Sequence, residues 1–519
     1  MRIDRIRLAA LGLLLPWLPA FPAEGAITLA PPFADNMVVQ RNQPIPICGR
    51  AAAGSSLHLQ LGDQAADAVA DPDGDWKAML PALPAGGPLT LTVSGDGGLT
   101  LSNIFVGDVW LASGQSNMEF PMAPSFASGP GLLDAASEIA AANHPDIHFF
   151  RQKTRTSAAP LSAPEGTWEV CIPSTIGNCS AVAYYFAQEL EAREHIPIGL
   201  ICAYQGGTPI EAWTPPDALA KADGYATYSP RWEAAVAAYP RNKADYDKKV
   251  AEQKAEVAAA QQSGAPPPPS HYISPPPGTP GRGPGMLYNA MIHPFTDFPI
   301  TGIIWYQGED NVTHPSEYRS FFPALIAAWR TAWRRDDLPF LFVQLSSFRP
   351  RTSQPGPSNW AELRDAQVAT LRLPGTGMAV SLDLGEADNI HYANKKPVGL
   401  RLAQAARALV YGEPIEGSSP LYDSMSQEGD DALRLNFSHA SSGLKTSDGG
   451  PVTGFTIAGA DQVFYPADVT LDGASVVVRN SQVPKPVAVR YAWADNPAAN
   501  LVGGDGLPVG TFRTDAWEH

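Results

Sequence analysis

Between residues 105 and 412 the sequence alternates short apolar runs with longer amphipathic segments, and this alternation constrains the fold more than any other feature. The apolar runs have the length of buried strands, and the amphipathic segments carry apolar residues at helical spacing. The expected strands are 106–112, 198–203, 301–306, 340–345 and 378–384, and the expected helices are 181–195, 316–335, 360–372 and 396–411. Such alternation predicts an α/β fold with a doubly wound parallel sheet, whose site lies at the carboxyl ends of the strands.

Two β-rich segments flank this region. Residues 27–104 and 413–519 carry short apolar runs separated by turns rich in Asp, Gly and Pro. This spacing predicts a β-sandwich-like module before the α/β domain of residues 105–412 and a second β-module after it. Near 228–285 the α/β domain carries an insertion that is first helical and then Pro-rich. We interpret it as a solvated excursion in preference to a proline-rich docking site.

The chain is acidic, with 36 Lys and Arg against 52 Asp and Glu and a net charge of -16. This charge argues against nucleic acid and anionic membrane surfaces as partners, and it leaves neutral ligands open. Residues 1–25 place three arginines before the apolar run 8–20 and small residues after it, which is typical of a signal peptide. The run is shorter than the ~20 residues of a membrane span. We therefore expect export to the periplasm or the cell exterior, without membrane insertion of the mature form.

The four cysteines predict neither a disulfide scaffold nor a structural zinc site, because they are few and lack paired Cys-x-x-Cys spacing. Cys171 and Cys179 enclose a short loop that a disulfide could bridge in an oxidising compartment, whereas Cys202 fits a buried core thiol. No His-x-x-x-His motif or cluster of Cys and His occurs. We therefore expect no metal and no cofactor.

Ser116 follows the first predicted strand in the stretch Gly114-Gln115-Ser116-Asn117-Met118. A serine on a tight strand-to-helix turn exposes its hydroxyl, and its N–H points towards the position of an acyl oxygen. The alternative interpretation is a helix N-cap. The second glycine of a Gly-x-Ser-x-Gly elbow is missing, which argues against an ordinary α/β-hydrolase fold.

Three further polar stretches follow predicted strands. Gly207 lies in a Gly-Gly turn after 198–203, where a backbone N–H can approach an oxyanion. Gln307, after 301–306, can present its side-chain amide to the same oxygen. After 378–384, Asp388 precedes His391 by three positions, so a local turn would let the acid orient the imidazole. Each stretch alone could be an ordinary turn or surface loop, but the joint arrangement favours a catalytic site.

The sequence resembles the sialate O-acetylesterase-like carbohydrate esterases of the SGNH hydrolase superfamily. The matching stretches are 107–119, 206–213, 287–292, 304–309, 388–402 and 488–493. The resemblance implies an SGNH-type fold with Ser116 as nucleophile, His391 as general base and acid, and Asp388 as its orienting acid. It also implies an oxyanion hole formed by the N–H groups of Ser116 and Gly207 and the amide of Gln307.

Two departures from the family pattern concern the pocket wall. Tyr392 follows the motif histidine where the family usually has Pro, and Tyr204-Gln205 precede the Gly-Gly turn where it often has Trp. These differences leave open which sugar is bound, and they affect the predicted type of reaction less. His293 has no acid at matched spacing, and we assign it to packing or to the pocket wall.

The residues and the resemblance together predict a carbohydrate O-acetylesterase whose partner is an O-acetylated carbohydrate, through an acyl-enzyme on Ser116. An arginine such as Arg401 or Arg490 would favour binding of the carboxylate of sialic acid. Acetylated xylan, xyloglucan or pectin is the alternative substrate. One rival class is a glycosidase with a carboxylate pair, Glu119 with Glu309 or Asp310. The other rival is a carbohydrate-binding protein without catalysis. The sequence does not predict an oligomeric state.

Overall fold

The computed structural model of this chain describes residues 26–124, 131–263, 273 and 275–517. The predicted signal peptide, residues 1–25, lies outside the described residues. The N-terminal strands pair antiparallel, β3 with β6 and β4 with both β5 and β7. In β4 the leucines are buried and the polar residues between them are exposed, as expected for a strand with one face on a core. These strands are β1 (Thr28–Leu29), β2 (Val38–Gln40), β3 (Ile45–Arg50), β4 (Ser56–Leu61), β5 (Gln64–Val69), β6 (Asp75–Leu80) and β7 (Gly86–Gly95).

One long strand, β8 (Gly97–Gly114), joins the N-terminal strands to the central sheet. Its first half pairs antiparallel with β7, and its second half lies parallel between two strands of the α/β domain. The predicted boundary between residues 104 and 105 therefore falls inside a continuous strand. From Ile104 to Gly114 every residue of β8 is buried, which is the pattern of a strand covered on both faces.

The central sheet has the order β10-β9-β11-β8-β12-β13-β14, and all neighbours are parallel except the edge pair β10 and β9. Its remaining strands are β9 (His144–Gln152), β10 (Gly166–Cys171), β11 (Ile198–Tyr204), β12 (Gly302–Tyr306), β13 (Phe340–Gln344) and β14 (Thr376–Val380). The chain leaves β8 towards one edge and returns past it to β12. This reversal makes the carboxyl end of β8 the switch point of the sheet, which is where α/β sheets bind their ligands.

Helices cover the central sheet, and α3 packs on α8 while α6 packs on α7. Ser180 caps α3 by accepting a hydrogen bond from the N–H of Ala183, and Ser358 caps α7 in the same way. The helices are α1 (Ser116–Glu119), α2 (Ala135–Ala141), α3 (Ala181–Glu194), α4 (Pro216–Leu219), α5 (Tyr225–Ser263), α6 (Pro315–Trp333), α7 (Asn359–Thr370) and α8 (Lys396–Leu409). Helix α5 is the helical part of the predicted insertion. Residues 264–272 and 274 of its Pro-rich part lie outside the described residues.

The C-terminal strands form three small antiparallel sheets. The guanidinium of Arg364, which is fully buried, fixes this module to the α/β domain by donating to the carbonyls of Leu345, Ala494 and Asp495. The strands are β15 (Leu421–Glu428), β16 (Ala432–Ser438), β17 (Leu444–Thr446), β18 (Phe455–Ala458), β19 (Phe464–Pro466), β20 (Asp468–Asp472), β21 (Ser475–Arg479), β22 (Ala488–Tyr491), β23 (Leu501–Gly503) and β24 (Phe512–Arg513).

The described chain is thus a mixed α/β structure with one large mixed sheet and several smaller β-sheets. Cys48, Cys171, Cys179 and Cys202 are free thiols, so Cys171 and Cys179 are not bridged here. None of the helices that the structure describes is long and apolar enough to cross a membrane.

Candidate active site

Ser116 lies at the carboxyl end of β8, on the first turn of α1. The turn depends on Gly114, whose φ of 137° is unfavourable for any residue with a side chain. A Cβ at this position would lie 2.1 Å from the carbonyl oxygen of Tyr306. The tight approach ends the strand and turns the chain, and Ser116 stays partly exposed while its neighbours Gln115 and Asn117 are buried. Because Ser116 begins the helix, its N–H has no acceptor within α1.

His391 is in hydrogen-bond contact with Ser116, although 275 positions separate them in the sequence. The distance from His391 Nε2 to Ser116 Oγ is 2.8 Å, which suits proton transfer from the hydroxyl to the ring. The loop that carries His391 is braced from within. Asn389 Oδ1 accepts from the His391 N–H at 3.0 Å, and Glu386 accepts from the Asn389 amide and from the Ala393 N–H.

Asp388 does not contact His391 in this structure. Its side chain is exposed, and among the described residues no hydrogen bond joins it to the imidazole. Its role as the orienting acid therefore stays a prediction from the family resemblance.

The Gly-Gly turn after β11 packs against the nucleophile. A Cβ on Gly206 would lie 3.2 Å from the Cβ of Ser116, so a side chain there would crowd the serine. The N–H of Gly206 donates to Glu119 Oε2 at 2.6 Å, which fixes the turn to helix α1. Gly207 follows with a φ of 64°, as the turn requires. The turn thus lies against Ser116, and the role of the Gly207 N–H in an oxyanion hole stays a prediction.

Gln307 is fully buried, and its amide nitrogen already has two acceptors. Its Nε2 donates to the Thr208 carbonyl at 3.2 Å and to Asn311 Oδ1 at 2.8 Å. Both amide hydrogens thus brace the two neighbouring turns, and an oxyanion would have to displace one of these acceptors. The oxyanion role of Gln307 stays a prediction, and the geometry gives it a bracing role.

A polar cluster beneath Ser116 was not predicted from the sequence. Asn117 donates through Nδ2 to Glu309 Oε1 at 2.5 Å and accepts at Oδ1 from Lys395 Nζ at 2.5 Å. Lys395 is fully buried, and its ammonium lies 3.6 Å from the centre of the Tyr392 ring. The only available signal was that all three residues belong to the stretches that carry the family resemblance.

Burial changes the proton affinity of these groups. The pKa of His391 is lowered to about 4, first by burial and then by the charge of Lys395. Burial lowers the pKa of Lys395 to about 7, and the carboxylates of Glu309 and Glu386 oppose this shift. Burial also raises the pKa of Glu309. His391 is therefore a neutral base across the whole neutral pH range.

The arginines considered for a sialate carboxylate are engaged elsewhere. Arg401 pairs with Asp383 and donates to the Val380 carbonyl, both at 2.7 Å. Arg490 forms a buried ion pair with Asp515 at 2.7 Å and lies over the ring of Trp493. Both side chains therefore have structural partners in the C-terminal half of the chain.

The carboxylates considered for a glycosidase also have hydrogen-bond or ion-pair partners within the protein. Glu309 is held by Asn117, and Asp310 forms an ion pair with Arg282 of the insertion. Glu119 accepts from Gly206. His293 Nδ1 donates a hydrogen bond to the carbonyl of Leu161 at 3.1 Å. In the described part of the chain, no three His, Cys, Asp or Glu side chains form a group that could hold a metal ion.

Comparisons with known proteins agree with an esterase site. Residues 106–244 and 279–408 match the family described as carbohydrate esterase, sialic acid-specific acetylesterase. The sialate O-acetylesterase of Rattus norvegicus is 29% identical over 421 residues, which cover 73% of each chain. The sialate O-acetylesterase of Homo sapiens is 29% identical over 361 residues, covering 65% of this chain and 61% of that protein.

Among solved structures, a carbohydrate acetylesterase from Xanthomonas citri is 38% identical and superposes with a TM-score of 0.80. The match covers 95% of this chain and 100% of that one. The family match includes Ser116, the Gly-Gly turn, Gln307 and His391. The chain therefore belongs to the sialic acid-specific acetylesterase family of carbohydrate esterases, and it is an esterase.

Proposed function

We propose that Ser116 and His391 remove O-acetyl groups from sugars by a serine acyl-enzyme mechanism. The observation that carries the proposal is the 2.8 Å contact between His391 Nε2 and Ser116 Oγ at the carboxyl end of β8. The neutral imidazole accepts the hydroxyl proton as Oγ bonds to the acetyl carbonyl carbon. The resulting oxyanion is stabilised by the N–H groups of Ser116 and Gly207.

The next steps return the site to its starting state. The bond between the carbonyl carbon and the sugar oxygen breaks, and the imidazolium of His391 gives its proton to that oxygen. The sugar leaves with a free hydroxyl and Ser116 carries the acetyl group. Water then attacks the acetyl carbonyl carbon and gives a proton to His391, the bond from that carbon to Ser116 Oγ breaks, Oγ takes the proton back from His391, and acetate is released.

We further propose an SGNH-type fold for the α/β domain. The proposal is supported by the placing of the nucleophile after β8 and of the Gly-Gly turn after β11, with the base in the loop that leads from β14 to α8. A short α1 with a single preceding glycine replaces the Gly-x-Ser-x-Gly elbow. The N-terminal sequence supports export through a signal peptide, which the N-terminal residue of the mature protein would test.

For the substrate, we propose an O-acetylated sialic acid, on the strength of the relatives named sialate O-acetylesterases. The test is acetate release from O-acetylated sialic acid, acetylated xylan, xyloglucan and pectin, each with wild type and with Ser116→Ala. Release from sialic acid that disappears in the variant supports both substrate and nucleophile. Release from a plant polysaccharide alone would replace sialic acid with that polymer and leave the mechanism intact.

A further inference from the structure

A buried lysine lies beneath the nucleophile turn, and the acyl transfer described above does not use it. Lys395 is fully buried, and aromatic rings surround its ammonium. The ring centres of Tyr392, Phe120 and Tyr306 lie 3.6, 4.8 and 5.9 Å from Nζ. Burial of an ammonium is unfavourable unless other groups compensate it. The aromatic faces, the oxygen of Asn117 and the charges of Glu309 and Glu386 supply that compensation.

Asn117 connects this lysine to both halves of the catalytic pair. It follows Ser116 directly in the chain and is itself fully buried. Its Nδ2 donates to the carbonyl of Ile390, the residue before His391, at 3.1 Å. Its Oδ1 accepts from Lys395 at 2.5 Å. A single amide therefore links the serine turn, the histidine loop and the lysine.

The charge of Lys395 also acts on His391. The charged or titratable groups that influence the ammonium are Glu309, Glu386 and His391. With its pKa at about 7, Lys395 is an ammonium in mildly acidic solution. A second positive charge on His391 is then unfavourable, which lowers the pKa of the imidazole. The lysine therefore opposes protonation of His391 at the pH where protonation would stop catalysis.

We propose that Lys395 is a positioning residue that, through Asn117, fixes Ser116 against the His391 loop and, through its charge, keeps His391 able to accept the serine proton in acidic solution. The inference rests on the proposed serine mechanism. Lys395 touches neither the ester nor the reacting atoms in this account. Its effect is carried by the geometry of the pair and by the electrostatics around the imidazole.

Three substitutions separate the charge of Lys395 from its hydrogen bond. Lys395→Gln removes the charge but can still donate to Asn117, and Lys395→Met removes both. Lys395→Arg keeps both. The matched control is Lys396→Met, because Lys396 is the next residue in the chain but lies at the surface and pairs with Glu138 at 3.0 Å. All variants are assayed for hydrolysis of 4-nitrophenyl acetate from pH 3 to 9, with melting temperatures on the same preparations.

We expect the acid midpoint of kcat/KM in Lys395→Gln to move up by about one pH unit, since one opposing charge is lost. Lys395→Met should show the same displacement and, in addition, about a tenfold lower kcat at pH 8 with KM little changed, the scale of one lost hydrogen bond. Lys395→Arg and Lys396→Met should keep the midpoint of the wild type.

A folded Lys395→Gln with the wild-type midpoint would overturn the inference. So would a Lys395→Arg displaced as far as Lys395→Gln, because packing rather than charge would then be responsible. Failure of the proposed mechanism looks different, since Ser116→Ala would keep its activity. Loss of activity in Ser116→Ala together with unchanged profiles in the lysine variants would remove only the role of Lys395.

Discussion

The half-buried position of His391 leads to a quantitative prediction about the pH dependence of the wild-type enzyme. The base must be neutral to accept the serine proton, and the fraction in that form depends on its pKa. Free imidazole, with a pKa of ~6.5, would be only about 9% neutral at pH 5.5. With the pKa lowered to about 4, His391 is about 97% neutral at that pH. The structure therefore predicts a plateau of activity from pH 5.5 to 8, with the acid limb well below 6.5.

The assay is kcat/KM for 4-nitrophenyl acetate from pH 3 to 8 in buffers of constant ionic strength. Aliquots held at each pH and returned to pH 7 control for irreversible unfolding. An acid limb centred near pH 6.5 would refute the reasoning, because it would mean that His391 titrates as a solvated imidazole. That result would also contradict the enclosed position of its ring.

Three further substitutions test the roles that the structure gives to residues other than Ser116 and His391. Arg364→Met should lower the free energy of unfolding by about 3 to 5 kcal/mol while kcat of the folded fraction is retained, because it leaves several buried carbonyls without a donor at about 1 to 3 kcal/mol each. Urea unfolding followed by kinetics measures both, and an unchanged unfolding midpoint would contradict this prediction. Gln307→Ala should lower the melting temperature and reduce kcat by less than about tenfold, because the amide of Gln307 holds Thr208 and Asn311. A loss of ~10²- to 10³-fold in kcat at unchanged stability would instead identify Gln307 as an oxyanion donor. Asp388→Asn should reduce kcat by less than about tenfold because its carboxylate does not reach His391, and a loss near 10⁴-fold would restore its predicted role as the triad acid.

The sequence allowed the central strands and helices to be predicted within a few residues, because their apolar patterns are local. Strand 198–203 is observed at Ile198–Tyr204 and helix 396–411 at Lys396–Leu409. The two strands β9 and β10 were missed, since polar and charged residues interrupt the apolar pattern of both and β10 lies at the edge of the sheet. The predicted domain boundary between residues 104 and 105 lies inside the continuous strand β8. The pairing partners of β8 change along its length, but the strand itself is not interrupted.

For the site, Ser116 and His391 were identified because each follows a strand and each lies in a stretch typical of the family. Lys395 could not be found in the same way. It stands beside Lys396, and nothing local distinguishes the fully buried lysine from the exposed one. The difference arises from partners 278 positions away at Asn117 and from a cage of aromatic rings, which only the folded chain brings together.

The central claim is that the hydroxyl of Ser116 is the nucleophile, and acetate release by Ser116→Ala tests it most directly. Ser113, three positions earlier, supplies a matched control because its hydroxyl is buried and lies outside the site. We expect Ser116→Ala to lose activity by on the order of 10⁶-fold with an unchanged melting temperature, while Ser113→Ala keeps its activity. Activity of Ser116→Ala within about tenfold of wild type would contradict the account, since an acyl-enzyme could not then form on this serine.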